Sequence, residues 1–145
     1  MLFRMQQQSM EPAIQPDDLL ALAKMASYAR GDIVAFNPPA DFAQGEPFLK
    51  RVVALEGQKV QIENGDVLVG GAPLDEPYVY PGHEPNEPTT VTGDTQTWLV
   101  PTGEVFVLGD HRANSADSRL FGPIPVASIV GRVVWRCEPK PGPVT

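Results

Sequence analysis

Sixteen prolines and thirteen glycines are spread along the 145 residues of this chain, and they limit the length of every secondary-structure element. Proline removes a backbone donor and clashes inside a helix, so long helices are not expected. The segments between these breakers are short and apolar or alternate between polar and apolar residues, which is typical of strands. Asn64-Gly65, between residues 59–63 and 66–69, predicts a tight hairpin turn. The sequence predicts a mostly β fold of coiled, barrel-like antiparallel sheets with little helix.

The predicted strands are short, and a turn or two of helix is expected only at residues 125–130. The strands are expected at residues 18–23, 32–36, 48–55, 59–63, 66–69, 97–100, 104–108 and 131–136. The length fits one domain, residues 1–145, in which residues 57–108 form a β-ribbon and loop region. Within it, residues 80–95 are expected to be a mobile loop or ribbon end, and residues 138–145 an extended, poorly ordered tail.

Composition excludes several kinds of partner. The formal net charge of -7 argues against nucleic acid, whose phosphates favour a basic surface. Cys137 is the only cysteine, so no internal disulfide can form. His83 and His111 lack a plausible set of co-ligands, so we predict neither a metal site nor a cofactor. The sequence contains no apolar run of about 18 residues and no signal-peptide pattern at its start.

Residues 109–119 form the most polar stretch that lies between apolar runs. This stretch holds two aspartates, two arginines, two serines and an asparagine. We interpret it as a fixed polar network, in which Asp117 pairs with Arg119 and Ser115 points at a group that must be held still. The alternative is a polar turn whose charges pair only with one another, since ion pairs also serve structure.

A serine and a lysine elsewhere in the chain suggest chemistry. Ser9, before Met10-Glu11-Pro12, is on its own an ordinary surface or capping hydroxyl. Lys50 lies among apolar residues of a predicted strand, where it either faces solvent or is buried. Burial would lower the pKa of Lys50 toward neutrality and allow it to act as a general base. Serine with neutral lysine is a known alternative to serine with histidine in acyl transfer.

Four segments resemble, in order, the successive motif boxes of the type I signal peptidases. They are Ser9-Met10-Glu11-Pro12, Arg30-Gly31-Asp32-Ile33-Val34, Lys50-Arg51-Val52-Val53-Ala54-Leu55-Glu56-Gly57 and residues 109–119. Residues 62–74 are similar to a hairpin common in that family, and residues 121–125 and 129–132 fit as well. The resemblance therefore covers residues 9–136 and implies a signal-peptidase-type β fold.

The resemblance implies a membrane-associated serine endopeptidase with a Ser/Lys dyad. Such enzymes remove signal peptides from secreted precursor proteins on the outer side of the cytoplasmic membrane. Carried over by motif, Ser9 is the nucleophile and Lys50 the general base. Ser115 is expected to hydrogen-bond and orient the lysine amine, and Asp117 and Arg119 to form a supporting ion pair.

The same resemblance implies which residues border the substrate. Met10, Phe48 and Leu49 are expected beside the signal peptide, and the Ser9 backbone N–H is expected to be one oxyanion donor. Gln7 stands where many relatives have a serine that supplies a second donor. Ala13, His111 and the run Glu56-Gly57-Gln58 also differ from the usual family pattern, but none of them replaces a dyad residue.

The family carries a membrane anchor before the serine, so we expect this chain to be the catalytic ectodomain without its anchor. Leu2, Phe3 and Met5 would then face the membrane surface; the alternative is that they pack in the core. Two other readings of the whole chain remain open. One is a self-cleaving Ser/Lys peptidase of the repressor type, and the other is a non-catalytic β module that binds secreted chains.

Overall fold

A computed structural model describes residues 1–82, 85–91 and 93–144, and within them the chain forms eleven β-strands and three short helices. The strands are β1 Leu2–Arg4, β2 Leu19–Ala23, β3 Ile33–Phe36, β4 Phe48–Ala54, β5 Lys59–Glu63, β6 Asp66–Val69, β7 Ala72–Pro73, β8 Thr97–Leu99, β9 Glu104–Leu108, β10 Ile124–Pro125 and β11 Ile129–Glu138. The helices are α1, Ser118–Phe121, and two 3-10 turns, Ala40–Phe42 and Val126–Ser128.

Seven strands form one antiparallel sheet in the order β1-β2-β11-β3-β4-β9-β10. Apolar residues fill its middle: all four residues of β3 are buried, and so are the last six of β4. β11 pairs with β2 on one side and with β3 on the other, and its register shifts against both. Such irregularities bend a strand. The sheet curls into a half-barrel, which confirms the predicted mostly β, barrel-like fold.

A second antiparallel sheet has the order β7-β6-β5-β8. The predicted hairpin joins β5 to β6, with Val60 opposite Val69. Asn64 and Gly65 both have positive φ, 51° and 87°, as the tightest hairpin turns require. The buried side chains of this sheet form one core cluster with residues of β4 and β9, such as Val53 and Phe106, so the second sheet packs against the first.

The prediction that helix occurs only at residues 125–130 is wrong. Val126–Ser128 is helical as expected, but Ala40–Phe42 and Ser118–Phe121 are helical too. α1 forms because the Asp117 side chain accepts a hydrogen bond from the Arg119 N–H and so caps its first turn. Gly122 then ends the helix with a φ of 78°.

Described residues of the tail and of the loop at residues 80–95 contact the rest of the fold. Arg136 and Gly142 form a β-bridge, and Val144 packs against the core, so the tail up to residue 144 folds back on the sheet. In the loop, Thr89 is buried and its N–H donates to the Gly65 carbonyl at 2.9 Å. The predictions for residues 80–95 and 138–145 also cover His83, Glu84, Thr92 and Thr145, which lie outside the described residues.

The apolar residues of the N-terminal segment divide between surface and core. Leu2 is 61% exposed, whereas Met5 is buried in the core and Phe3 packs against that core half-buried. Of the three side chains expected at a membrane surface, Met5 is therefore a core residue, because its place between β1 and the turn directs it inward. Across the described residues, we find no helix with the length and apolar character needed to span a membrane.

Candidate active site

Ser9 and Lys50 meet in the interior although 41 residues separate them in sequence. Ser9 opens the turn that follows β1, and Lys50 lies in the middle of β4. The Lys50 Nζ donates to the Ser9 Oγ at 2.7 Å, and each residue is only 3% exposed. The turn is held in place by Met10 and Ile14, whose fully buried side chains anchor it in the core. The geometry therefore joins a hydroxyl and an amine out of contact with bulk water.

The environment of Lys50 lowers the pKa of its amine and so raises the fraction that is neutral. Burial is the main cause that lowers the pKa of Lys50 to about 8; Arg119 adds to the shift, and Asp117 opposes it. Among the residues that the structure describes, no carboxylate lies within ion-pair distance of the amine. With that pKa, about a tenth of the molecules carry a neutral lysine at pH 7, which is enough for a general base.

Asp117 is the centre of the polar loop at residues 109–119. Its carboxylate forms two contacts of 2.9 Å with the Arg119 guanidinium, and it accepts from the Ser115 hydroxyl at 2.7 Å and from the Gly109 N–H at 3.0 Å. Burial alone would raise the pKa of Asp117, but the Arg119 pair and these hydrogen bonds lower it below its usual value. The carboxylate therefore stays ionised and fixes the loop.

Ser115 lies beside the turn that carries Ser9, but its hydroxyl donates to Asp117. No hydrogen bond joins Ser115 to Lys50 in the described part of the chain. A Cβ placed on Gly109 would stand 2.6 Å from the Ser115 Cβ and 2.7 Å from the Ser9 carbonyl oxygen. Only glycine fits between these groups, and its absence of a side chain brings Ser115 close to Ser9. The predicted contact of Ser115 with the amine stays a prediction.

A cleft of about 70 Å³ opens beside the Ser9–Lys50 pair. Its other lining residues are Phe3, Met5, Gln6, Gln7, Gln44, Glu46, Pro47, Phe48 and Leu49. Gln7, Phe48 and Leu49 thus lie where a substrate was expected. Met10 is fully buried and packs in the core cluster beside the turn, and its predicted contact with the substrate stays a prediction. Gln44 and Glu46 were missed, because nothing in their polar loop distinguishes them in sequence.

A second buried network lies next to the first and was not predicted. The Arg51 guanidinium contacts both carboxylate oxygens of Asp110, at 2.9 and 2.8 Å. Arg112 donates to Glu76 at 2.5 Å and to the Gly109 carbonyl at 2.7 Å. This network ties the polar loop to β4 and to the segment after β7. In the parts of the chain that the structure describes, no group of three or more His, Cys, Asp or Glu residues could hold a metal ion.

Comparison with known proteins points to one family. The family model described as "Signal peptidase, peptidase S26" matches residues 1–137. The chain is 36% identical over 140 residues to a protein named probable signal peptidase I-1 from Synechocystis, which covers 90% of this chain and 67% of that protein. It is 37% identical over 138 residues to signal peptidase I of Bacillus caldolyticus, covering 90% of this chain and 75% of that one.

A solved structure gives the same assignment. The crystal structure of a signal peptidase I from Enterococcus faecalis superposes with a TM-score of 0.59 at 31% identity, covering 75% of this chain and 98% of that chain. This chain spans about two thirds of the length of its cyanobacterial relatives. Because the family match runs from residue 1 to residue 137 and relatives exceed 30% identity, the chain belongs to the signal peptidase family of S26 serine endopeptidases, enzymes that remove signal peptides.

Proposed function

We propose that Ser9 is the nucleophile and Lys50 the general base of this peptidase. The observation that carries the proposal is the 2.7 Å contact between the Lys50 Nζ and the Ser9 Oγ. A buried lysine whose closest polar partner is a hydroxyl rather than a carboxylate is costly to keep, and such lysines are typical of catalytic sites. Its lowered pKa, about 8, suits proton transfer near neutral pH.

The reaction follows from the positions of these two atoms. Neutral Lys50 takes the Ser9 proton while the Oγ attacks the carbonyl carbon of the scissile peptide. The tetrahedral intermediate collapses as the lysine gives that proton to the leaving amine, and an acyl-enzyme remains. Lys50 then takes a proton from a water molecule, whose oxygen attacks the ester. When that second intermediate collapses, Lys50 returns the proton to the Ser9 Oγ, and the product leaves as a carboxylic acid that then loses its proton to solvent.

Neighbouring groups support this chemistry. The Ser9 backbone N–H is our first oxyanion donor, and Gln7, exposed at the cleft, is the candidate for the second. We propose that Ser115 orients the Lys50 amine after Ser9 has attacked the substrate, when the hydrogen bond between Lys50 and Ser9 is lost. The Asp117–Arg119 pair holds Ser115 in place and keeps a fixed charge near the amine.

The cleft indicates how a signal peptide binds. We propose that the segment to be cut lies extended beside Phe48 and Leu49 and adds to the sheet as a strand. A small cleft of about 70 Å³ suits alanine-sized residues one and three positions before the cut. The predicted substrates are therefore precursor proteins with small residues at these positions.

We also propose that the enzyme acts at the outer surface of the cytoplasmic membrane. Leu2 and Trp135 both lie opposite Ala21 in the sheet, so the three residues form one row across β1, β2 and β11. Leu2 is 61% exposed and Trp135 is 46% exposed. An exposed apolar row with a tryptophan suits the interface of a bilayer.

The deciding experiment is cleavage of a peptide with an Ala-x-Ala site in the presence of detergent. Ser9→Ala and Lys50→Met are compared with wild type and with two matched controls, Ser27→Ala and Lys59→Met, at exposed positions. We expect wild type and both controls to cut the peptide, and each dyad variant to lose at least about 10³-fold in kcat. An inactive wild type with an intact fold, or an active Lys50→Met variant, would contradict the proposal.

A further inference from the structure

We propose that His111 is a positioning residue that holds the turn carrying Ser9; this inference builds on the proposed role of Ser9 as nucleophile. The His111 backbone N–H donates to the Ser9 carbonyl at 2.9 Å. His111 belongs to the polar loop at residues 109–119, so this contact joins the loop directly to the nucleophile.

The His111 ring contacts the turn on both sides of Ser9. Its Nδ1 lies 3.3 Å from the Gln8 carbonyl oxygen and 3.4 Å from the Glu11 carboxylate. One side chain therefore touches the residue before the nucleophile and the residue two positions after it. Asn114, three residues along the same loop, adds a contact of 3.2 Å to the Gln8 side chain.

The opposite edge of the ring contacts the segment between β7 and β8. The His111 Nε2 lies 3.5 Å from the Glu87 carboxylate, and the ring stacks on Tyr80 with centroids 4.2 Å apart and an interplanar angle of 19°. Glu87 also accepts a hydrogen bond from the Ala113 N–H. The ring therefore stacks on Tyr80 and has a carboxylate near each nitrogen, and this close packing lets it act as a support for the turn.

The part of the turn before Ser9 needs this support more than the part after it. Met10 and Ile14 anchor the residues after Ser9 in the core, whereas the side chains of Gln7 and Gln8, before Ser9, are exposed. The His111 contacts restrain this second side. A displacement of about 1 Å in a reacting group can lower the rate of the chemical step about 100-fold. The ring is thus expected to act on catalysis by fixing the Ser9 Oγ against Lys50.

Kinetics of His111→Ala on the Ala-x-Ala peptide test this role. We expect kcat to fall about 10- to 100-fold while KM stays within about twofold, because the ring touches the nucleophile turn and does not line the cleft. Glu11→Gln should also lower kcat, but by less. The double variant should be no slower than His111→Ala, because both substitutions remove the same contact between His111 and Glu11. Glu63→Gln, a carboxylate exposed on β5, is the matched control and should match wild type.

A second measurement is independent of activity. Amide hydrogen exchange of residues 8–14 should be faster in His111→Ala than in wild type, with the amides of β3 and β4 unchanged. An unchanged kcat, an effect on KM alone, multiplicative effects of the two substitutions, or unchanged exchange in residues 8–14 would each overturn the inference. If wild type does not cut the peptide, the proposed function fails, and the exchange measurement still decides whether His111 holds the turn.

Discussion

Lys50 and Arg51 are neighbours on one strand and are equally buried, but Arg51 has a carboxylate partner and Lys50 has a hydroxyl. Arg51 forms a bidentate ion pair with Asp110, donates to the Gly31 carbonyl at 3.0 Å and lies 4.0 Å from the Tyr78 ring centroid. Lys50 has the Ser9 hydroxyl at 2.7 Å. Successive residues of a strand point to opposite faces, so one strand serves two different sites.

The difference separates a structural charge from a reactive one. A buried arginine with a fork-shaped carboxylate partner keeps its charge and fixes the elements that it joins. A buried lysine without such a partner is pushed toward its neutral form, which lowers stability and creates a base. The same amount of burial therefore gives rigidity at Arg51 and reactivity at Lys50, and the partner decides which.

The largest expected effect is the loss of activity on removing the lysine amine. Lys50→Met should lower kcat by at least about 10³-fold, whereas Arg51→Met should leave measurable activity in the molecules that remain folded. The measurement is peptide cleavage normalised to the folded fraction, which circular dichroism provides. Equal losses in the two variants would remove the contrast between a reactive and a structural cation.

The effects on stability should have the reverse order, with Arg51→Met the more harmful of the two substitutions. Arg51→Met leaves the buried Asp110 without its partner and should destabilise the protein by about 3–5 kcal/mol. Lys50→Met removes a group whose pKa falls from 10.5 to about 8 on folding, and it should stabilise the protein at pH 7 by up to about 3 kcal/mol. Urea unfolding measures both. A Lys50→Met variant that is less stable than wild type would show that the amine contributes favourably to the fold.

The two residues also predict how pH acts. If neutral Lys50 is the base, as proposed, kcat/KM should rise about tenfold per pH unit below pH 8 and level off above it. The unfolded chain binds the lysine proton more tightly than the folded chain, so protonated Lys50 lowers the stability of the fold. This loss of stability is complete below pH 8 and disappears between about pH 8 and 10.5. The stability advantage of Lys50→Met should shrink over the same range. A flat rate between about pH 6 and 9 would contradict Lys50 as the base.

A smaller effect is expected at the loop that lies next to both cations. Ser115→Ala removes the hydroxyl that Asp117 accepts from, and it should lower the free energy of unfolding by only about 1 kcal/mol. If Ser115 orients the amine, kcat should fall by much more than this, about 10- to 100-fold. Measuring kcat and urea unfolding on the same variant separates a role in orienting the amine from a role in the fold. A loss of kcat no larger than the loss of stability accounts for would make Ser115 a structural residue.

The smallest effect is expected at an exposed pair. Arg4 contacts Glu138 at 2.9 Å, but their side chains are 44% and 58% exposed. Arg4→Ala should change stability by less than about 1 kcal/mol and leave cleavage unchanged. Urea unfolding at low and high salt would test this, and a loss as large as that of Arg51→Met would show that burial is not what distinguishes these pairs.

The local parts of this structure could be predicted from the sequence. Asn64-Gly65 set the hairpin because both residues accept positive φ, and Asp117 and Arg119 are close enough in sequence to pair within one turn. The short strands followed from the breakers between them. The candidate site residues were predicted from the resemblance of four motifs and not from pattern alone.

The rest depends on contacts between distant segments. Alternation could not show whether Lys50 is buried, because β4 is covered on both faces. The Arg51–Asp110 and Arg112–Glu76 pairs join residues 59 and 36 positions apart, and no local rule selects them. The resemblance places Met10 beside the substrate, but no sequence pattern shows that its side chain is fully buried, as the fold has it.

The strand order β1-β2-β11-β3-β4 has a consequence for when the enzyme becomes active. Ser9 follows β1 and Lys50 lies on β4, and the last strand, Ile129–Glu138, is the one that joins the two halves of the sheet. A nascent chain that lacks β11 leaves β2 and β3 with unpaired edges, so its nucleophile and base have no common frame. Proteolytic activity should therefore require β11, and a chain that ends before residue 129 should be inactive.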